Sequence, residues 1–175
     1  MTTTSQSPLV VVMGVSGSGK TTVGAALAQR LRVPFADADD FHPPENVAKM
    51  SAGVPLTDDD REPWLRTIAA WLDAHAEAGG VVSCSALKRS YRDLLREQAT
   101  QTFFLHLHGD RDVIAARMAG RPGHFMPAAL VDSQFATLEP LQADELGTAL
   151  DVSAPVDDLV EQSLQILAPK DGSLR

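Results

Sequence analysis

The sequence predicts an α/β fold, a parallel sheet with helices packed on both faces. Three observations carry that prediction. Short, continuous apolar runs recur along the chain, as expected of strands buried on both sides. Amphipathic helical stripes separate them. The first run is followed at once by a glycine-rich segment, Gly14 to Thr22, and then by a helix.

Taken in order, Leu9–Met13 is a valine-rich strand, and the helix after the glycine segment buries Val23, Leu27 and Leu31. Val33–Ala38 is the second strand. A short turn then leads to Lys49. Pro63 stands at the start of a helix with Trp64, Ile68, Trp71 and Leu72 on one stripe, which ends at Gly79-Gly80. Asp58–Asp60 reads as a capped, solvated helix start. Val81–Ser85 is the third strand. Leu87–Gln98 is helical with Tyr91, Leu94 and Leu95 inward, Thr102–His108 is a strand and Arg111–Met118 a helix. After a break at Gly120–Gly123 come a helix over Ala128–Leu138 and a strand over Leu146–Val152. Pro155 opens the last helix, with Val156, Leu159, Val160, Leu164 and Leu167 inward. Crossovers of this kind are right-handed, and ligands bind outside the carboxyl ends of the strands.

The 175 residues suit one domain, with a core over about 9–168, a mobile lid over about 117–128 and polar termini. The chain is 44% hydrophobic and 22% charged, ordinary for a globular protein. Its net charge of −8 argues against nucleic acid as a partner. No apolar run is long enough for a membrane, and the amino-terminal run lacks the basic flank and cleavage pattern of a signal peptide. One cysteine, Cys84, fits a reducing cytoplasm.

The segment "GVSGSGKTT" fits G-x-x-x-x-G-K-[ST] in its proper strand–loop–helix setting. Backbone N–H groups of Gly14, Val15, Ser16, Gly17, Ser18 and Gly19 can curl around a phosphate, with Lys20, Thr21 and Thr22 opening the helix behind them. Lys20 is expected on the β- and γ-phosphates of ATP and the Thr21 hydroxyl on Mg²⁺. Two classes use such a loop: a small-molecule kinase and a hydrolysing nucleotide switch. No N-K-x-D segment is present, and "VVSCSALKR" ends the third strand without a carboxylate. Asp37, ending the second strand, is therefore the expected partner of Mg²⁺. "RMAGRPGHFMP", with Arg117 and Arg121, reads as a lid that closes charge over the phosphates and favours the kinase.

The crowded carboxylates of "FADADDFHPPENVAKM" belong beside that loop. Asp39 can take or orient the proton of an acceptor hydroxyl, and Asp40 reads as a cap or a solvated residue. His42 is either a ligand group or held in a structural hydrogen bond. Lys49, Arg61, Lys88, Arg89 and Arg92 supply cations. Lys88 and Arg92, at i and i+4 of one helix, share a face and are preferred over Arg89. His106 and His108 lack a third ligand at metal spacing, and Cys84, Trp64 and Trp71 read as core. These residues by themselves define a Mg²⁺- and ATP-dependent small-molecule kinase.

Four segments, "GVSGSGKTT", "DADDFHPPENVAKMSAGVPLTDDDREPWL", "CSALKRSYRDLLR" and "GHFMPAALVDSQFATLEPL", together resemble the bacterial-type gluconokinases of the shikimate-kinase-like P-loop kinases. The resemblance runs from about Leu9 to Leu167. It implies a P-loop fold with five parallel strands, a lid and often a homodimer. The implied reaction moves the ATP γ-phosphate to the 6-hydroxyl of D-gluconate. It implies that Gly14–Thr21 binds ATP phosphates, that Asp39 lies at the acceptor, and that Lys88 and Arg92 are near the gluconate carboxylate. Arg117 and Arg121 match lid positions, and Pro155 borders adenine. Gln134 stands where shikimate kinases have a carboxylate-binding arginine, and is expected in the substrate site.

Overall fold

In a computed structural model, residues 7–119 and 128–168 are described. Five strands form one wholly parallel sheet: β1 (Leu9–Met13), β2 (Phe35–Asp37), β3 (Gly80–Ser83), β4 (Phe103–His108) and β5 (Gly147–Asp151). Their spatial order is β2-β3-β1-β4-β5. The helices are α1 (Lys20–Leu31), α2 (Pro44–Ser51), α3 (Asp58–Ala74), α4 (Arg89–Leu95), α5 (Arg111–Ala119), α6 (Ala128–Thr137) and α7 (Val156–Leu167), with a short 3₁₀ helix over Ala38–Phe41.

β1 is apolar throughout because it lies at the centre of the sheet with a helical layer on each side. Alternation along the strand divides its side chains. Leu9, Val11 and Met13 join Trp64, Leu65, Ile68 and Leu72 of α3 and Leu95 of α4. Val10 and Val12 join Val23 and Leu27 of α1, Ile114 of α5, and Leu159 and Val160 of α7. All the strands run the same way, so their carboxyl ends gather at one edge: the glycine loop after β1, Asp37 on β2 and the Cys84–Lys88 turn after β3.

Several boundaries differ from the sequence reading. α3 starts at Asp58, because Thr57 and Asp60 form a reciprocal capping box. Pro63 therefore lies inside the helix and not at its start. The helix ends at Ala74, ahead of Gly79-Gly80, and Gly80 is the first residue of β3. Gly79 has φ +88°, and a Cβ there would meet the Pro8 carbonyl at 2.9 Å. The turn expected before Lys49 is the helix α2, with prolines at its start. α4 is shorter than expected, because Ala86 has φ 45° and Lys88 is extended. Val156, expected inward, is exposed.

Candidate active site

The glycine loop is built to leave amides for a ligand. Gly14, Gly17 and Gly19 take φ values of 151°, 85° and 92°. A side chain at Gly14 would strike the Leu107 carbonyl at 2.8 Å. Val15 accepts from the Ser18 amide at 3.2 Å, which closes the loop. The Lys20 ammonium donates to the Val15 carbonyl at 3.0 Å and so folds back over it. No side chain caps α1 at Gly19, so its first amides and its dipole face the loop, as an anion site requires. Thr22 is exposed on the first turn.

Beside this loop, Asp37 joins two elements. Its Oδ2 accepts from the Thr21 hydroxyl at 3.2 Å and its Oδ1 from the Asp39 amide at 2.9 Å. A hydroxyl and a carboxylate meeting at the phosphate loop form a hard oxygen donor set of the kind Mg²⁺ selects. The Asp39 carboxyl is pushed above its ordinary value by burial, then by the charge of Asp37, although Lys20 draws it back. The 3₁₀ helix carrying Asp39 is held from below: Trp64 Nε1 donates to the Ala38 carbonyl at 2.6 Å. His42 stacks on Trp64 with ring centroids 4.3 Å apart, and burial lowers its pKa.

A second group of charges surrounds the start of α3. Lys49 donates to Asp60 at 2.8 Å. Lys88 contacts both oxygens of Asp58 at 3.2 Å, and the Tyr91 hydroxyl donates to Asp58 at 2.5 Å. Arg61 reaches the Leu56 carbonyl at 3.0 Å and the Tyr91 hydroxyl at 3.3 Å. Hydrogen bonds from Tyr91 and then Lys88 hold Asp58 below its usual range, and Lys49 is the main cause of an Asp60 pKa near 2.

The shikimate kinase family matches residues 16–147. The chain is 46% identical to the thermosensitive gluconokinase of Escherichia coli over 89% of this chain and 84% of that protein. It is 52% identical to the gluconokinase of Gluconobacter oxydans over 78% of each. The crystal structure of a gluconokinase from Sinorhizobium meliloti superimposes with a TM-score of 0.86 at 51% identity, covering 93% of this chain and 92% of that one. The chain belongs to the shikimate kinase family and, within it, to the gluconokinases.

In this gluconokinase-family fold most of the residues singled out from sequence lie along one edge, but two have other work. Arg92 is fully buried. Its Nε and Nη2 donate to Glu145 at 2.7 and 3.1 Å, and its Nη1 to the Ala86 and Leu87 carbonyls at 2.9 and 3.3 Å. This corrects the expectation that Arg92 pairs with a substrate carboxylate: its donors are taken up in holding the turn after β3. Lys88 precedes α4 as its N-cap, so the two residues are not i and i+4 of one helix. Gln134 of α6 grips the phosphate loop. Its Oε1 accepts from the Ser16 amide at 2.6 Å and its Nε2 donates to Ser16 Oγ at 3.0 Å. In this arrangement its amide is committed to the nucleotide side, not the acceptor side expected from sequence.

Arg117 donates to the Val152 carbonyl, in the loop that leads to Pro155, the N-cap of α7. Arg121 and the rest of the expected lid, through Pro127, lie outside the described residues. Among the described residues no three His, Cys, Asp or Glu side chains converge as a metal group. Burial pushes the Cys84 thiol up to about 12, consistent with an inert core residue.

Sequence reasoning missed three residues that shape the site. Glu145 receives Arg92 and Arg96 from across the fold. Tyr91, read only as core, places its hydroxyl among Asp58, Arg61 and Lys88. Trp64, also read as core, carries the 3₁₀ helix. The only available signal was that Tyr91 and Trp64 are aromatic residues with a polar handle, which seeks a partner when buried.

Proposed function

We propose that the protein is a gluconokinase that transfers the γ-phosphate of ATP to the 6-hydroxyl of D-gluconate, giving 6-phospho-D-gluconate and ADP. The observation that carries this reading is the meeting of Thr21, Asp37 and Asp39 at the mouth of an uncapped phosphate loop. The gluconokinases it resembles at 46% and 52% identity supply the acceptor.

The amides of the loop and of the first turn of α1 hold the phosphates, apart from those of Gly14, Ser16 and Ser18, which donate to Ser85, Gln134 and Val15, and Lys20 neutralises charge on the transferred group. Thr21 and Asp37 are the residues that would hold Mg²⁺. When bound, the cation offsets charge on the phosphate oxygens. Asp39, with its raised pKa, receives the proton of the 6-hydroxyl as that oxygen bonds to the γ-phosphorus and the bond to ADP breaks. Lys49, Arg61 and Lys88 line the acceptor side, with Lys88 nearest in role to the sugar-acid carboxylate. Pro155 borders the nucleotide base, and Arg117, which donates to the Val152 carbonyl, is a lid arginine on the nucleotide side. The whole chain acts as one kinase domain, a homodimer working in the cytoplasm, with no nucleic-acid or membrane partner. No helix among the described residues is long and apolar enough to cross a membrane.

The test is ADP release with Mg-ATP against gluconate, shikimate, glycerate, AMP, other sugar acids and no acceptor. Release that requires gluconate, with a phosphorylated product of matching mass, is expected. Strong release without acceptor would replace this reading with a hydrolytic switch.

A further inference from the structure

Ser83 closes β3 at the edge where the phosphate loop lies. It registers with Asp37 of β2 on one side and Val12 of β1 on the other, and Val12 registers with Leu105 of β4. Residues in register across parallel strands point to the same face. Val12 and Leu105 lie in the layer beneath α1, together with Val81, two residues before Ser83. Asp37 reaches Thr21 of α1 on that same face. The Ser83 hydroxyl is thus directed under α1, one strand spacing from the backbone of Asp37.

Ser83 is 2% exposed, and its Oγ has no hydrogen-bond partner among the described residues. A buried hydroxyl without a partner is unfavourable, and the apolar residues in the same row would avoid that cost. In other phosphate-loop enzymes a carboxylate in the Mg²⁺ site comes from a later strand. Here β3 ends "GVVS" without a carboxylate, and Ser83 is its polar residue on the α1 face.

We propose that Ser83 is a positioning residue of the cation site, its hydroxyl holding a water on the divalent cation that Thr21 and Asp37 ligate. The proposal rests on the cation reading of that pair but not on the identity of the acceptor. Ser83 then supplies through water what a carboxylate supplies directly elsewhere, and Asp37 carries the only carboxylate of the pair. Groups outside the ligand shell tune cation affinity by about 10- to 100-fold.

The experiment measures ADP binding by calorimetry, in Mg²⁺ and in EDTA, without any acceptor. It is paired with the electron paramagnetic resonance spectrum of the Mn²⁺–ADP complex. Wild type, Ser83→Ala and, as a positive control, Asp37→Asn are compared. Ser83→Ala removes an unpartnered hydroxyl, so its melting temperature is expected to match or exceed that of the wild type. In EDTA its ADP affinity is expected to equal wild type. The gain on adding Mg²⁺ should fall about 10-fold or more, and the Mn²⁺ spectrum should change. Equal Mg²⁺ gains and identical spectra in wild type and Ser83→Ala would overturn the proposal and leave Ser83 a packing residue. Absence of any Mg²⁺ gain in wild type would overturn it together with the Thr21–Asp37 cation site. Failure of gluconate phosphorylation would leave these binding results unchanged and is read separately.

Discussion

Arg92 and Glu145 form an ion pair with neither side chain exposed, joined at 2.7 Å across 53 positions of the chain. Burial alone would raise the Glu145 carboxyl. Hydrogen bonds from Arg92 and the Gln142 amide outweigh it and leave the pKa below the usual range. The same arginine fixes the Ala86 and Leu87 carbonyls, so this pair sets the turn that presents Lys88.

Removing one partner leaves the other charge buried and alone. Arg92→Met is expected to lose about 3–5 kcal/mol of stability, a fall of roughly 6–20 °C in Tm for a chain of this size. The double variant Arg92→Met/Glu145→Leu should recover at least about half of that loss. Thermal unfolding decides the matter. A single variant as stable as wild type would show that the pair contributes nothing.

Gln134 separates two readings of α6. Its contacts are with Ser16 of the phosphate loop. Gln134→Ala is expected to raise the KM for ATP roughly 5-fold or more, since two hydrogen bonds worth about 0.5–1.5 kcal/mol each no longer hold the loop, and to leave the KM for gluconate unchanged. The reverse pattern in steady-state kinetics would return Gln134 to the acceptor pocket.

Asp39→Asn should lower kcat about 10²- to 10⁴-fold with ATP binding intact. A collapse of ATP affinity would instead assign Asp39 to the cation. Burial and Asp37 raise the Asp39 pKa, so activity that needs its carboxylate is lost, as pH falls, above the ordinary value of 3.8. A pH–rate profile with no acid limb above that value would exclude Asp39 as the group that titrates.

His106 is buried, and burial, then His108 and Arg92, lower its pKa from 6.5 to about 4. The unfolded chain takes up this proton first. The stability linked to a neutral His106 is complete above about 6.5 and is lost as pH falls toward about 4, an effect on the order of 3 kcal/mol. His106→Leu should flatten that part of the stability–pH curve. Denaturant unfolding at pH 7 and pH 4.5 measures it, and equal slopes in both proteins would refute the linkage.

Local features were legible in the sequence. The phosphate loop and Leu9–Met13 could be read because strand, glycines and helix are contiguous, and Asp37 because it ends the next apolar run. Arg92 could not be read, since charge and helical spacing favour a ligand role equally, and its partner Glu145 lies in a distant loop. Pro63 misled because a proline usually opens a helix. The stronger signal was the capping box that opens six residues earlier at Thr57 and starts the helix ahead of Pro63. α2 was missed because a short polar segment between prolines and glycine has no clear period, and its fit depends on Asn46 reaching the Asp60 carbonyl.

The central place of β1 has a consequence for how the chain is made. As it emerges amino-terminus first, its most apolar strand has no neighbour to pair with. Leu9 must wait for Gly80, and Val10 for Phe103, before either edge is covered. Every pairing in the sheet is distant in sequence, which makes folding slow and leaves unpaired edges open to association with other chains. A nascent chain stalled before β4 therefore leaves one edge of this valine run uncovered, and that edge is where it is most open to pairing with another chain.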